Sequence, residues 1–401
     1  MLKSGKAIIL KGEKKMDFEF TDEQRALRET VRRYLAANIE PIADEYDRKG
    51  TLTKEDALKF LKDLKPFGYV ATLVPEELGG AGLDHVSWGI LHEELRRAYA
   101  SLAGVVGITA SATNSIAECG NTALKERILP GLVDGKKIIC TAITEPNHGS
   151  DASGVDTRAT LEGDYYRING TKMWISNGSI ADYVTVVAQT DPSKGAAGIC
   201  RILVEREKSP FLSREIHKLG VRSFPTAELV FEDCMVPKEN LVTSVGEGYR
   251  NTMRGLNHAR ANAAIAAVGI AQAALDEAIK YAKERVQFKK AIGSFQLIQS
   301  MIAEMATEID AARLLTYRAF HMIDKGVKCR KEVSMAKAYA TEMAVRVTSK
   351  AIQIHGAYGL ADEYKVERFF RDARCYTMPD GTTEIQNLII GREILGLQAF
   401  F

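Results

Sequence analysis

One carboxylate in a loop near the C-terminus is the first candidate for chemistry. Asp380 precedes Gly381, and from residue 385 onward apolar side chains recur at helical spacing. Thr383 and Gln386 have the spacing of a capping box, which predicts that a helix begins directly after the loop. The carboxylate would then lie beside a helix N-terminus, where free backbone N–H groups can contact a ligand. Asp-Gly is also a common turn pair, so a purely structural turn is the alternative.

Three further segments combine residue types that bind cofactors or phosphates. The segment 141–151 carries hydroxyls, a proline and a glycine, and it can present polar groups to a heterocycle or a phosphate; a plain surface loop is the alternative. Trp174 and Ser176 place an aromatic ring beside a hydroxyl, which suits a stacking wall as well as ordinary packing. Arg285 suits a phosphate, or it is a solvated arginine at a helix end. For His355, before a glycine, a cap or core role is favoured over acid–base chemistry.

Composition and missing motifs exclude several classes of protein. The 401 residues are 46% hydrophobic and 26% charged, which is typical of a globular chain of two or three domains. The net charge of +2 favours neither nucleic acid nor acidic membranes, and we find no apolar run of about 18 residues that predicts a membrane span. Six cysteines without a CxxC pair argue against a disulfide framework and a zinc site, and no metal site is predicted. The absence of GxGxxG and P-loop motifs disfavours a Rossmann dehydrogenase and an NTPase.

Residues 1–15 differ from the rest of the sequence and are interpreted as an extension. They lack the apolar core and cleavage site of a secretory signal. They contain Glu13 and no arginine, which does not fit a mitochondrial transit peptide, and Met16 is a candidate alternative start. We therefore expect a cytoplasmic protein of bacterial type, or a mitochondrial matrix protein if the source is eukaryotic.

The order of hydrophobic patterns predicts an α+β chain of three domains. Residues 16–137 have helical periodicity and form the predicted N-terminal helical domain, which begins its first helix at Thr21 and begins its exit at Pro130. Residues 138–250 contain several short β-branched runs with turn signals between them, which predict a central antiparallel β-domain. Residues 251–401 are helical again and predict a C-terminal four-helix bundle.

Two local patterns sharpen this prediction. Asn169-Gly170 lies between two β-branched runs and predicts a tight hairpin. In the C-terminal region, Ile298, Met305 and Ile309 fall on one helical face and predict a buried stripe. We find no internal repeat and no low-complexity linker.

Six spaced motifs carry a resemblance to one family. They are Ala142-Ile-Thr-Glu-Pro-x-x-Gly-Ser-Asp151, Gly170-Thr-Lys-Met-Trp-Ile-Ser-Asn177, Val230-Phe-Glu-Asp-x-x-Val-Pro237, Glu284-Arg-x-x-Phe288 with Ile292-Gly-x-Phe-Gln296, Gln353-Ile-His-Gly356, and Arg371-Asp-Ala-Arg374 with Gly381-Thr-x-Glu-Ile-Gln386. From about Phe18 to Leu397 the chain resembles the acyl-CoA dehydrogenases, flavoproteins that oxidise acyl-CoA thioesters at the Cα–Cβ bond. The resemblance implies the three-domain order, non-covalent FAD, a homotetramer, and electron-transfer flavoprotein as the electron acceptor.

The resemblance also implies roles for individual residues. Asp380 stands where most members carry the catalytic glutamate, so it would take the α-proton as general base. Arg260 matches an arginine near the CoA channel, and Ser150 and Gly381 would contact the substrate. The implied FAD contacts are Ile143, Thr144, Ser150, Trp174, Ser176, Arg285, Phe288, Gln296, Gln353, Gly356, Thr382 and Glu384. Three of them, Arg285, Phe288 and Gln296, would reach the FAD of a neighbouring subunit.

The departures from the family pattern concern the base and the flavin loop. Aspartate is one methylene shorter than glutamate, which is about 1.5 Å of reach. The family's other base position aligns with Ala259, which cannot accept a proton, so Asp380 is the only evident base. Asn147-His148 replaces small residues, and Lys289 and Ala357 stand where glycines are usual.

The short carboxylate favours a substrate with a branched or alicyclic α-carbon, such as cyclohexanecarboxyl-CoA, because it leaves room for a tertiary Cα. A short or branched-chain acyl-CoA dehydrogenase is the alternative, and so is an enoyl-CoA reductase that works in the reverse direction. A non-catalytic or DNA-binding relative is disfavoured by the carboxylate and by the near-neutral charge. An oxidase or monooxygenase of the same family, which uses oxygen, is a further alternative.

Overall fold

The computed structural model describes residues 18–398. In that range the chain forms a helical region, a sheet region and a second helical region, which confirms the predicted order. One hydrophobic core lies between the first helices and the sheet, and a second lies mainly among the C-terminal helices. The predicted extension 1–15 and the candidate start Met16 lie outside the described residues.

From residue 18, where the described part of the chain begins, to residue 137, six α-helices form the N-terminal region. Thr21 begins the first of them through a capping box with Gln24, as predicted. The predicted exit at Pro130 is wrong, because Pro130 lies inside the sixth helix. A proline in the last turn costs only one backbone hydrogen bond, and buried Leu129 and Leu132 beside it offset that loss. The helices are α1 (Asp22–Asn38), α2 (Ala43–Lys49), α3 (Lys54–Leu64), α4 (His85–Ala98), α5 (Ala100–Cys119) and α6 (Thr122–Val133).

Helix α5 is the most apolar element of this region. By length and composition it could cross a membrane, which the sequence analysis did not anticipate because glycine and hydroxyl residues interrupt its apolar run. In the structure 78% of its apolar window is buried inside the protein. The helix packs against α4, α6 and the sheet, so a core position accounts for its hydropathy.

Eight strands form one mixed sheet. The strands are β1 (Ile139–Ala142), β2 (Arg158–Glu162), β3 (Tyr165–Ser176), β4 (Tyr183–Gln189), β5 (Ile199–Glu205), β6 (Leu212–Glu215), β7 (Thr226–Pro237) and β8 (Leu241–Thr243). Most neighbours pair antiparallel, in the order β6-β7-β3-β2-β4-β5-β8. The predicted antiparallel β-domain is therefore confirmed for most strand pairs, but the sheet is mixed because both β1 and β2 pair parallel with β4. These pairings join strands that are distant in sequence, so no local turn signal marks them.

The predicted hairpin at Asn169-Gly170 is also wrong. Strand β3 runs straight through both residues, and the chain turns instead at Gly163-Asp164, between the paired residues Glu162 and Tyr165. Asn169 accepts a hydrogen bond from the Asp233 N–H (2.8 Å) at a register shift between β3 and β7. The Asn-Gly pair therefore marks a β-bulge, where an asparagine side chain replaces part of the backbone ladder.

Up to residue 398, the C-terminal region contains five α-helices and a short hairpin. Helix α9 lies at its centre and packs against α7, α8, α10 and α11, whose bounds follow. On α8 the predicted stripe is confirmed, since Met305 and Ile309 are buried and Ile298 packs against the core. The elements are α7 (Gly248–Glu284), β9 (Val286–Gln287), β10 (Lys290–Ala291), α8 (Gln296–Asp324), α9 (Arg330–His355), α10 (Val366–Cys375) and α11 (Thr383–Leu395).

Just ahead of the loop that carries Asp380, helix α10 is tied to the N-terminal region through Arg368 and to the sheet region through Asp372. The Val221 N–H of the sheet region donates to the Asp372 carboxylate at 2.5 Å. One turn earlier, Arg368 pairs with Asp44 of α2 (2.8 Å). Burial raises the pKa of Asp372 to about 6, while Arg368 and the Val221 N–H oppose that shift. This buried network fixes the helix from which the candidate loop departs.

Asp372→Asn is expected to gain stability relative to the wild type as the pH rises from 4 to 7. A carboxyl whose pKa is higher in the folded state contributes stability that is present below about pH 4 and lost as the pH rises through about 6. Asparagine does not ionise and therefore avoids that loss. The measurement is the thermal midpoint of both proteins at each pH. Asp134→Asn is the control, because Lys136 and Lys65 lower the pKa of Asp134 to about 2, below this window. Parallel curves for Asp372→Asn and the wild type would contradict the prediction.

Candidate active site

The loop between α10 and α11 holds Asp380 in a left-handed backbone conformation. Its φ is +59°, and that of Gly381 is +93°; aspartate tolerates this region better than most residues. The predicted capping box after the loop is wrong, because the Thr383 hydroxyl donates to Glu342 (2.6 Å). Gln386 Nε2 instead donates to the carbonyls of Asp380 (3.0 Å) and Gly381 (2.8 Å). Gln386 thus secures the loop through side-chain bonds.

Arg260 of α7 brings a second charged group to the same loop. It is 7% exposed, and its Nε donates to the Asp380 carbonyl at 3.1 Å. Its Nη1 donates to Asn257 one turn earlier. The structure therefore brings together Asp380, Gly381 and Arg260, three residues that the sequence analysis assigned to catalysis and substrate binding.

The electrostatics of the loop suit a general base. Burial raises the pKa of the Asp380 carboxyl, and the positive charges of Lys337 and Arg260 act against that shift. The same burial lowers the pKa of Lys337 to about 8, with Asp380 opposing. A carboxylate whose pKa is raised by burial becomes a stronger base while nearby cations keep it ionised.

The loop after β1 is fixed by a buried ion pair. Lys172 of β3 is fully buried, and its Nζ bonds to Glu145 (2.7 Å) and to the Ile143 carbonyl (3.0 Å). Glu145 also accepts hydrogen bonds from the backbone N–H groups of residues 156 and 157. The Thr144 carbonyl accepts from the Met173 N–H at 2.8 Å. These bonds hold Ile143 and Thr144, two predicted cofactor contacts, against the strand that carries Trp174.

Trp174 projects from a bulge in β3. The pairing of β3 with β7 shifts register between Lys172 and Ile175, and Trp174 there adopts a φ of +61°. The bulge leaves its side chain 57% exposed. Ser176 lies partly buried two residues further on, and Ser150 is exposed in the β1 loop.

The remaining predicted contacts fall into two groups: those at residues 285–296 and 353–356 lie where α7 and α9 end and α8 begins, and those at residues 382 and 384 lie at the start of α11, beside the Asp380 loop. Arg285 stacks over Tyr358, with its guanidinium carbon 5.6 Å from the ring centre, and Phe288 is 89% exposed at the tip of the β9–β10 hairpin. Gln353 and Gly356 are exposed where α9 ends, and Gln296 is exposed where α8 begins. Thr382 is the cap residue of α11, and Glu384 is exposed in the first turn of that helix. Within residues 18–398, no hydrogen bond, ion pair or ring contact joins Arg285 or Phe288 to the Asp380 loop.

His355 has the structural role that the sequence analysis favoured. The ring is buried, stacks on Tyr281 with centroids 4.2 Å apart, and its Nδ1 lies 2.8 Å from the Ala351 carbonyl. The histidine therefore closes the end of α9, in keeping with a cap or core role.

Family comparisons cover all three regions. Residues 21–136, 140–234 and 246–395 match the acyl-CoA dehydrogenase N-terminal domain, middle domain and C-terminal domain. The chain belongs to the acyl-CoA dehydrogenase family. This protein is therefore an oxidoreductase, and its fold is the three-part acyl-CoA dehydrogenase fold that the resemblance implied.

Individual acyl-CoA dehydrogenase relatives match over almost their whole length. Subunit CarC of the caffeyl-CoA reductase–Etf complex of Acetobacterium woodii is 39% identical, over 94% of this chain and 99% of its own. The structure of butyryl-CoA dehydrogenase from Megasphaera elsdenii superposes with a TM-score of 0.91 at 37% identity, over 95% of this chain and all of that one. Glutaryl-CoA dehydrogenase from Mycobacterium smegmatis, solved with FADH2, gives a TM-score of 0.89 at 30% identity, over 95% and 97% of the two chains.

Acyl-CoA dehydrogenases depend on FAD, and the residues present here fit that cofactor. Trp174 and Phe288 are large aromatic side chains left largely exposed, and each offers a flat apolar face on which a ring system can stack. Polar groups suited to a heterocycle and a pyrophosphate accompany them: the Ile143–Ser150 loop is bonded to the strand that carries Trp174, and Arg285 directly precedes the hairpin that carries Phe288. A planar ring system and phosphates are the chemistry that such a set recognises.

Sequence reasoning missed four side chains that shape the site: Lys337, Gln386 as a loop donor, and the paired Lys172 and Glu145. Lys337 did leave a signal, since it falls on the buried stripe of α9 with Val333, Ala340 and Ala344. A lysine at a core-facing helical position indicates a buried polar contact. The Lys172–Glu145 pair left no local signal because its members lie 27 residues apart.

Proposed function

We propose that this protein transfers hydrogen between an acyl-CoA thioester and its α,β-unsaturated form, with Asp380 moving the α-proton. The observation that carries the proposal is that Asp380 has a fixed backbone and a carboxyl of raised pKa. Its backbone is held by Arg260 and Gln386, and burial raises the pKa of its carboxyl. Ala259, the family's other base position, offers no competing group.

The α-proton beside a thioester is weakly acidic, so its removal needs a strong base and a means to stabilise the charge left behind. Asp380 takes the proton, while Arg260 and Lys337 supply positive charge beneath the loop. When bound, FAD supplies the acceptor for the hydride of the β-carbon. Ser150 and Gly381 are the proposed substrate contacts of the two loops, and Arg260 that of α7.

For the substrate, we propose an acyl group with a branched or alicyclic α-carbon, such as cyclohexanecarboxyl. The support is the length of the base. An aspartate held by its backbone carbonyl carries its carboxylate about 1.5 Å less far than a glutamate would. A tertiary α-carbon needs that space.

Anaerobic bleaching of the bound flavin by a panel of thioesters tests this proposal. Cyclohexanecarboxyl-CoA is expected to reduce the flavin faster than butyryl-CoA at equal concentration. Equal or faster reduction by butyryl-CoA would overturn the alicyclic proposal and leave a short-chain dehydrogenase. Failure of every saturated thioester to bleach the flavin would overturn α,β-dehydrogenation itself.

The reverse reaction is the second candidate, and the 39% identity to a subunit of a reductase–Etf complex favours it. In that direction Asp380 would donate the proton to the α-carbon. Electron-transfer flavoprotein is the proposed partner in either direction. The test mixes dithionite-reduced enzyme with enoyl-CoA thioesters and asks whether the flavin is reoxidised faster than saturated thioesters reduce it.

We propose a homotetramer with FAD near subunit boundaries. Apolar side chains are left exposed on the C-terminal helices, together with Phe288 on its hairpin. The helical ones include Leu297, Leu314, Ile394 and Leu395. Light scattering of the purified holoenzyme decides the oligomeric state, and a monomeric mass would contradict the proposal.

A further inference from the structure

Lys337 is a fully buried lysine that the proposed mechanism uses only as a charge. Its Nζ donates to the carbonyls of Thr377 and Gly381, each at 2.9 Å. These two carbonyls lie on either side of Asp380 in the chain. Within residues 18–398 the only other fully buried lysine is Lys172, which pairs with a carboxylate, whereas Lys337 bonds to the backbone of the candidate loop.

Two other side chains complete this arrangement. Gln386 donates to the carbonyls of Asp380 and Gly381, and Arg260 donates to that of Asp380. The backbone carbonyls of residues 377–381 therefore receive five hydrogen bonds from three side chains, and Lys337 gives two of them. We call Lys337, Gln386 and Arg260 the carbonyl clamp.

The clamp acts on the part of the loop that is under conformational constraint. Asp380 has a positive φ, which is strained for a residue other than glycine and persists when the surroundings enforce it, and Gly381 follows with a positive φ that glycine adopts freely. In a trans peptide the carbonyl and the next N–H point in opposite directions. By binding the carbonyls of residues 380 and 381, the clamp turns the N–H groups of residues 381 and 382 away from the helices beneath the loop.

We propose that Lys337 is a positioning residue for the reaction: by fixing the carbonyls on both sides of Asp380, it sets the reach of the short base toward the α-carbon. The proposal rests on the proposed function of Asp380. A base that is one methylene shorter than glutamate tolerates little displacement from the α-carbon, since a misplacement of about 1 Å can cost on the order of a hundredfold in rate.

The charge of Lys337 has a second effect that a neutral donor would not reproduce. It lowers the pKa of Asp380 against the effect of burial. The other charged groups that face Lys337 are Glu342 on its own helix, Arg260 on α7 and Glu384 on α11. Removal of the ammonium group leaves only Arg260 to oppose the raised pKa of Asp380, so the base should ionise at higher pH.

The test compares Lys337→Met with Lys350→Met in the holoenzyme. Lys350 lies on the same helix but pairs with Glu304 and Glu308, away from the loop. Three quantities are measured: the pH profile of flavin reduction by the best thioester, deuterium uptake of the peptide covering residues 374–386, and the thermal midpoint with FAD content. Lys337→Met is expected to slow reduction about 10- to 100-fold, to move the acid limb of the profile to higher pH, and to speed deuterium uptake. Lys350→Met should change none of these.

Lys337→Arg separates positioning from simple stability. It keeps the charge and the donors, so its acid limb should stay at the wild-type pH even if the larger group slows the reaction. A lowered thermal midpoint in Lys337→Met with an unmoved acid limb and unchanged deuterium uptake would overturn the proposal. If Lys337→Met does not fold with FAD bound, the test rests on Lys337→Arg. An acid limb of that variant at higher pH than in the wild type, despite the retained charge, would overturn the proposal. If no saturated thioester reduces the wild type and no enoyl-CoA thioester reoxidises its reduced flavin, the proposed function is refuted instead, and deuterium uptake would still report whether Lys337 holds the loop.

Discussion

Asp380→Asn is expected to slow reduction of the bound flavin by an acyl-CoA thioester by roughly 10²- to 10⁴-fold while FAD stays bound. Asparagine has the same shape and leaves the backbone bonds from Arg260 and Gln386 in place, but it cannot accept the α-proton. Stopped-flow absorbance of the flavin under anaerobic conditions measures the rate. No other carboxylate lies in the loop 376–382 to replace it.

The control is Asp164→Asn, in the exposed turn between β2 and β3, which should leave the rate and the FAD content unchanged. Normal reduction by Asp380→Asn would refute Asp380 as the base. Loss of FAD from that variant would instead show that the carboxylate supports cofactor binding.

Asp380→Glu adds a more specific expectation. The extra methylene returns the base to the length usual in the family, about 1.5 Å longer. If the short carboxylate serves a tertiary α-carbon, the variant should turn over butyryl-CoA better and cyclohexanecarboxyl-CoA worse than the wild type. An unchanged ratio of the two rates would mean that the length of the base does not select the substrate.

Lys172→Met is expected to have the largest effect on stability. Lys172 is fully buried and Glu145 is 4% exposed, so removal of the lysine leaves a buried carboxylate without its counter-ion. Breaking one side of such a pair costs on the order of 3–5 kcal/mol. The Ile143 carbonyl also loses its donor, so the β1 loop should loosen and FAD should dissociate more readily. Thermal unfolding and the flavin content after gel filtration measure both effects.

The double variant with Lys172→Met and Glu145→Gln is the matched control. It removes both charges, so it should recover part of the lost stability even though the ion pair is gone. Glutamine still offers one oxygen to the backbone N–H groups of residues 156 and 157. A double variant less stable than Lys172→Met alone would show that the ionised Glu145 is held mainly by those N–H groups and not by the lysine.

Local patterns accounted for most of the helices but for only part of the sheet. The capping box at Thr21 and the stripe at Met305 were predictable because their partners lie within a few residues of each other. The Asn169-Gly170 pair misled because a turn and a β-bulge use the same local conformations, and only the pairing with β7 distinguishes them. The parallel pairing of β1 with β4 left no local signal either, because the two strands are distant in sequence.

The features of the candidate site likewise separate into those that local sequence predicted and those that depend on distant residues. The motif around Asp380 identified the loop and its carboxylate. The short side chain of aspartate also indicated that the distance from the base to the substrate α-carbon is critical. The clamp was not predictable, because Lys337 and Arg260 lie 44 and 120 residues before the carbonyls that they bind. The predicted capping box at Thr383 failed because Glu342 and the loop carbonyls compete for the same side chains.

By itself, then, the sequence determined the family, the order of the three regions and the identity of the one carboxylate at the loop. Only the tertiary structure decided that Asp380 has a left-handed backbone, that three side chains bind the carbonyls around it, and that burial raises its pKa. The physical reason is that residue type and local spacing encode short-range propensity and chemistry. The position and basicity of a side chain depend on burial and on charges brought together from distant parts of the chain.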